Sequence, residues 1–182
     1  MRALAHEDIR RRGSGNIGAT NVWRTYGRAY GLPVVVLDTA KGFVPALVFF
    51  HVVSPLAGVL AGGAAMLGHS RPLFLRFARG GKMVATCGGA FFGVAPFVGA
   101  IGLAVWVAAF LLTRYASVAS MVSALSLPVA AVALGQPWPV IVFAAVAAVA
   151  VVALHRGNMR RLLRGTENRF DFRGRRSGPV RT

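Results

Sequence analysis

Three polar stretches in this 182-residue chain carry residue types suited to holding phosphate. The first reads Gly13-Ser14-Gly15-Asn16-Ile17-Gly18-Ala19-Thr20-Asn21-Val22-Trp23-Arg24. Interleaved glycines let a backbone approach an anion and present N–H groups to it. Arg24 adds a planar charged fork that matches phosphate geometry. The pattern is not a P-loop, since GxxxxGK[ST] is absent. The second stretch, Gly68 to Thr86, sets Gly80-Gly81-Lys82 directly ahead of an apolar segment. A helix starting there offers free first-turn N–H groups beside an ammonium. Phe74 and Phe77 within it read as interface or packing aromatics. The third stretch runs from His155 to Glu167. If a helix continues through it, His155 and Asn158 are three apart and share a face. Taken singly, each stretch is also compatible with an ordinary loop or helix cap.

The elements that must position these stretches are strongly apolar. Hydrophobic residues make up 55% of the chain and charged residues 14%, with 21 Lys and Arg against 5 Asp and Glu. Disorder is excluded, because it requires low hydrophobicity. A disulfide scaffold is excluded because Cys87 has no partner in the chain; among apolar neighbours it reads as packing. A basic nucleic-acid domain fits the charge but not the apolar content, and the tail lacks the aromatic and basic interleaving of such proteins. What fits both is an all-α, polytopic transmembrane helix bundle. Six segments are predicted to span: 32–53, 55–68, 84–95, 97–113, 116–134 and 138–154. With six spans, Arg10, Arg24, Arg28, Arg71, Arg79, Lys82, Arg114 and the arginines from Arg156 onward all fall on one face. The turns around Ser54-Pro55, Ala95-Pro96 and Gly135 to Pro139 carry no Lys or Arg. The positive-inside rule makes the basic face cytoplasmic, with both chain ends inside.

The same map divides the chain into a cytoplasmic segment (1–31), a bundle (32–155, with a cytoplasmic loop at 68–86) and a basic tail (156–182). The tail from Phe170 is expected to be unstructured and drawn to anionic headgroups. Gly58 with Gly62, Ala61 with Ala65 and Gly89 with Gly93 are expected to pack helices closely. Asp38 and Lys41, three apart within a span, are costly enough in hydrocarbon to predict a mutual pair facing the bundle interior.

Together the stretches GSGNIGATNVWR, GHSRPLFLRFARGGKMVAT and HRGNMRRLLRGTE resemble the three signature motifs of the bacterial acyl-phosphate:glycerol-3-phosphate acyltransferases. Their order, the intervening spans and LDTAKG at 37–42 also match. The resemblance implies transfer of a fatty acyl group from acyl phosphate to the 1-hydroxyl of sn-glycerol 3-phosphate, giving lysophosphatidic acid and phosphate at the cytoplasmic face of the bacterial membrane. It implies no cofactor, no metal, no nucleic-acid partner and no covalent enzyme intermediate; membrane lipids are the surroundings. By the resemblance, Arg24 and Lys82 bind substrate phosphate. Ser14, Asn16, Thr20, Gly13 and Gly15 shape the cradle with Gly80 and Gly81. His155 and Asn158 orient or polarise the acceptor, and Ser14 joins them as a catalytic candidate. Glu167 is expected to partner a nearby arginine. The alternative is a non-catalytic paralogue or anion transporter with a phosphate-binding cytoplasmic face.

Two departures stand out. The family has a further span ahead of the first motif, so the resemblance implies either an upstream start with seven spans or a branch working with six. In the second motif Ala78 reads as an insertion, and Met83 stands where the family has the last glycine of GGKG. A bulky residue there is expected to narrow the loop or remove a left-handed conformation, altering donor choice or activity.

Overall fold

The computed structural model describes residues 8–170, and every regular element among them is helical. The expected unstructured tail, Phe170 apart, lies outside the described residues. The helices are α1 (Ala19–Tyr26), α2 (Arg28–Val52), α3 (Pro55–Ser70), α4 (Val84–Val94), α5 (Pro96–Thr113), α6 (Ala116–Ala133), α7 (Trp138–Leu154) and α8 (Arg156–Leu163). Each of the six predicted apolar segments is a helix within a few residues of its expected bounds.

Proline sets the starts at the end of the bundle away from the basic stretches. Pro55 and Pro96 open α3 and α5, Pro139 sits in the first turn of α7, and the Ser54 hydroxyl accepts from Ala57 N at 3.1 Å. Proline lacks the N–H that a first turn cannot use anyway. Large apolar side chains face outward all round: Leu37, Val52, Phe97, Leu112, Val129 and Val149 are exposed. In water such a surface would aggregate; in a bilayer it is the solvated surface, and helices keep every backbone group satisfied there. α2, α5 and α6 are each long and apolar enough to cross, whereas α7 reaches that length only when counted with the polar α8, which is bent 53° away from it. By contrast α4 has 11 residues, about 16 Å at 1.5 Å per residue. It is a short inner helix.

That inner helix organises the bundle, packing against α2, α3, α5 and α7. Phe91 is fully buried and stacks on Phe143 of α7 with centroids 5.0 Å apart. Glycine makes the α2–α4 approach: a Cβ at Gly89 would fall on the Thr39 carbonyl oxygen, and one at Gly42 on that of Thr86. Lipid supplies no hydrophobic force between helices, so this contact is van der Waals packing. Gly89→Ala is therefore expected to cost about 1–3 kcal/mol by overpacking, seen as a lower melting temperature in detergent. Gly88→Ala is the control, because a Cβ there meets nothing within 4 Å. Equal melting of the two variants would contradict the close-approach account.

Candidate active site

Helix α1 begins inside the first motif, which the sequence reading treats as a glycine-rich loop. Asn21 on its buried face organises what precedes it. Asn21 Oδ1 accepts from Ser14 N at 2.9 Å, and its Nδ2 donates to the carbonyls of Arg12 and Asn16 at 3.1 and 2.8 Å. Gly13 and Gly15 take φ of +56° and +71°, the region where a Cβ is penalised. The amides of Ser14, Gly15 and Gly18 all donate to internal acceptors, Asn21 Oδ1, Arg12 O and Asn16 Oδ1. Each of these donors is thus already paired within the segment. These three amides are not free to cradle an anion.

The second motif behaves likewise. Gly80 N donates to Ser70 O at 2.9 Å and Gly81 N to His69 O at 3.0 Å. A Cβ at Gly80 would strike the His69 carbonyl, and one at Gly81 the His69 ring. Both glycines are there for close approach rather than to offer N–H groups. Asn16 Nδ2 reaches Gly80 O at 3.4 Å, joining the first two motifs. Met83 caps α4 at φ +67°, ψ −5°, so the left-handed turn survives without glycine. The cost of roughly 1–2 kcal/mol is offset because the Met83 side chain is buried in the core, worth about 1.5–3 kcal/mol. Beneath the loop, Lys41 Nζ lies 2.6 Å from Asp38 Oδ1 and 2.6 Å from His69 Nδ1. The predicted Asp38–Lys41 pair forms and gains His69 as a third member, but only Asp38 turns inward; Lys41, expected to face the bundle interior, is exposed. Phe74 and Phe77 do not pack on the bundle; they are 82% and 62% exposed.

In the third motif the helix does not run through. His155 closes α7 and opens α8, and the two helices meet at 53°. His155 Nδ1 lies 2.8 Å from Val151 O. A carbonyl only accepts, so in the neutral ring Nδ1 carries the proton and Nε2 holds the lone pair. Burial pushes the imidazole, which stands beyond the end of α7, down to about 4, so it is neutral near pH 7. Asn158, buried one turn on, accepts from Lys82 Nζ at 2.6 Å and donates to Glu167 Oε1 at 2.7 Å. Glu167 also accepts from Ser117 Oγ at 2.9 Å and from Arg161 Nε at 2.7 Å. Burial works against its charge, but those hydrogen bonds outweigh it and hold its pKa below the ordinary carboxylate value. Glu167 thus partners an arginine, as expected, and steadies Asn158 as well.

These contacts bring all three stretches to one end of the bundle, around one cavity of ≈ 770 Å³. Ser14, Asn16, Thr20, Arg24, Lys82, His155 and Asn158 all line it. Gly13, Gly15, Gly80 and Gly81 are not among its lining residues; they set the loops behind it. Arg24 is held by the Asn168 carbonyl at 2.9 Å and by the Phe170 ring, 5.8 Å from guanidinium to centroid. Burial lowers its pKa, yet a guanidinium stays charged. Lys82 is pushed down to about 8 by burial and then by Arg161 and Arg24, against an upward pull from Glu167. Arg24, Lys82 and Arg161 face Glu167 and Asp38 in the lining, and Asp38 is itself paired with Lys41, so the mouth is net cationic and favours anions.

The sequence reading missed Asn21, Ser117, Arg161 and Asn168. For Ser117 a pattern was available: Ser117, Ser120, Ser123 and Ser126 recur every third residue on an otherwise apolar helix. Away from the mouth the cavity walls are apolar, contributed by α4, α5 and α6. The site therefore joins a cationic mouth to a hydrocarbon-lined interior.

The family model described as Glycerol-3-phosphate acyltransferase matches residues 1–165. The glycerol-3-phosphate acyltransferase of Desulforudis audaxviator is 48% identical over 166 residues, covering 91% of this chain and 83% of that one. The one from Aquifex aeolicus is 42% identical over 165 residues, covering 90% and 85%. The crystal structure of PlsY (YgiH), an integral membrane glycerol 3-phosphate acyltransferase, in its glycerol 3-phosphate form superposes with a TM-score of 0.89 at 40% identity. That match covers 93% of this chain and 85% of the other. The lysophosphatidic acid form gives 0.83 at 41% identity, covering 87% and 82%.

Proposed function

The chain belongs to the glycerol-3-phosphate acyltransferase family, and from that premise we propose that it transfers a fatty acyl group from acyl phosphate to the 1-hydroxyl of sn-glycerol 3-phosphate at the cytoplasmic face of a bacterial membrane. The observation that carries this reading is the joining of a cationic mouth to an apolar interior within one cavity. A donor with a phosphate head and a hydrocarbon tail needs both, and the acceptor brings a second phosphate. The relatives crystallised in glycerol 3-phosphate and lysophosphatidic acid forms support the acceptor and the product.

Arg24, Lys82 and Arg161 supply charge for the two phosphates. Neutral His155, with its Nε2 lone pair, accepts the hydrogen bond of the acceptor hydroxyl, and Asn158 fixes the Lys82 ammonium. The hydroxyl oxygen attacks the acyl carbonyl carbon, and the carbon–oxygen bond to phosphate breaks, with phosphate leaving on the electron pair. A pKa near 4 makes His155 a poor base. We assign the hydroxyl proton to a phosphate oxygen, which leaves position and electrostatics as the protein's contribution. Acyl phosphate is already activated, so no enzyme nucleophile is required. Cys87 is buried and among the residues that line the cavity, but the step does not call on a thiol.

Membranes containing the protein are expected to make lysophosphatidic acid from acyl phosphate and glycerol 3-phosphate, and not from acyl-CoA. Product from acyl-CoA alone would overturn the donor assignment. Phosphate uptake into sealed vesicles with no acyl turnover would favour transport instead.

A further inference from the structure

The apolar part of the cavity has an open level and a closed one. At the open level, one turn into α4, Gly88 lines the space and a Cβ built on it meets nothing within 4 Å. Deeper in, glycines do the opposite. A Cβ at Gly99 of α5 would lie 3.0 Å from the backbone nitrogen of Phe92 on α4, and one at Gly102 would lie 2.7 Å from Leu127 Cδ2 on α6. Here α5 has closed on both neighbours. Leu127 is 5% exposed and still lines the cavity, as Gly99 and Gly102 do. From Ser117 at the mouth to Leu127 the helix rises about 15 Å at 1.5 Å per residue.

Polar atoms along this wall are already paired. Ser120 Oγ donates to Ala116 O at 2.7 Å and accepts from Trp106 Nε1 at 3.2 Å, and Ser123 Oγ donates to Gly102 O at 2.7 Å. What remains toward the cavity is hydrocarbon. Resting on the acyl-transfer reading above, we propose that Leu127, seated on Gly102, is the floor of the acyl-chain compartment and sets the longest chain the donor can bury. Leu127 is a specificity determinant for chain length, remote from the reacting atoms.

The test is kcat/KM across a ladder of saturated acyl phosphates lengthened one methylene at a time, at fixed glycerol 3-phosphate. Each methylene that enters the compartment raises kcat/KM roughly four-fold, the equivalent of about 0.8 kcal/mol per buried CH₂, until the floor is reached and the rise stops. Leu127→Ala moves that break to longer chains, and Leu127→Phe moves it to shorter ones. Opposite movements of one break are not produced by general destabilisation, which lowers all rates together. Gly88→Leu fills the open level and moves the break shorter still, giving a third reading should a Leu127 variant fail to fold. A break at the unaltered length in the folded variants overturns the floor while leaving the transferase intact. No turnover of any acyl phosphate by the unaltered protein overturns the underlying reading and the floor with it.

Discussion

Replacing Lys82 with alanine is expected to lower kcat/KM for lysophosphatidic acid formation by about 10²–10³-fold, the usual loss when one preorganised electrostatic group is removed from an acyl-transfer site. The argument begins with placement. Lys82 follows two glycines whose close packing on His69 fixes the loop, and its ammonium is held 2.6 Å from Asn158 Oδ1. Little reorganisation remains to be done when a phosphate arrives. Removal also leaves Asn158 Oδ1, in a buried side chain, without its donor. The variant should insert into membranes at the normal level, because Lys82 lies outside the helix contacts that build the bundle. Wild-type turnover in Lys82→Ala would dismiss the mouth as the phosphate site.

The same residue predicts a pH limb. The Lys82 ammonium is pushed down to about 8, first by burial and then by Arg161 and Arg24. Only the protonated form attracts phosphate, so kcat/KM for the free enzyme is present below that pH and falls as pH rises through it. Lys82→Arg removes the limb, since guanidinium does not titrate in this range. A flat profile to well above 8 in the unaltered protein would mean that the ammonium does not face substrate.

How much of this was legible beforehand depends on how local each feature is. The six apolar helices were legible because hydropathy and proline mark them within the chain: Ser54-Pro55 and Ala95-Pro96 each end one helix and begin the next. The shared location of the basic stretches followed from counting spans, and the contacts Asn16–Gly80 and Lys82–Asn158 agree with it. The eight-residue α1 was not legible, since it follows Gly18 directly and is too short for its period to stand out. Nor was the 53° break at His155, which coincides with a ring nitrogen bonded to the Val151 carbonyl four residues back. The glycines were recognised as important for the wrong physical reason. Sequence shows that a Cβ is missing, whereas only the fold shows that Asn21, Asn16, His69 and Ser70 already accept or shape what those amides would offer. The hub at Glu167 was half legible: an arginine partner could be expected nearby, but Ser117, fifty residues away, could not.

Glu167→Gln is expected to lower kcat/KM roughly 10–100-fold, as the loss of about 1–3 kcal/mol of buried hydrogen bonding would. The carboxylate accepts from Ser117, Asn158 and Arg161 at once. An amide keeps one oxygen and turns an NH₂ toward groups that are themselves donors. Asn158 is then free to rotate, and Lys82 loses its fixed acceptor. A second consequence separates this electrostatic role from simple scaffolding. Glu167 is the group that raises the Lys82 pKa against burial and two arginines. Without its charge the alkaline limb moves to lower pH. Glu167→Asp, which keeps the charge but shortens the reach, loses rate while leaving the limb near its original position. If Glu167→Gln slows the enzyme but its limb stays near 8, the carboxylate is only a strut and the mouth is not tuned by its charge.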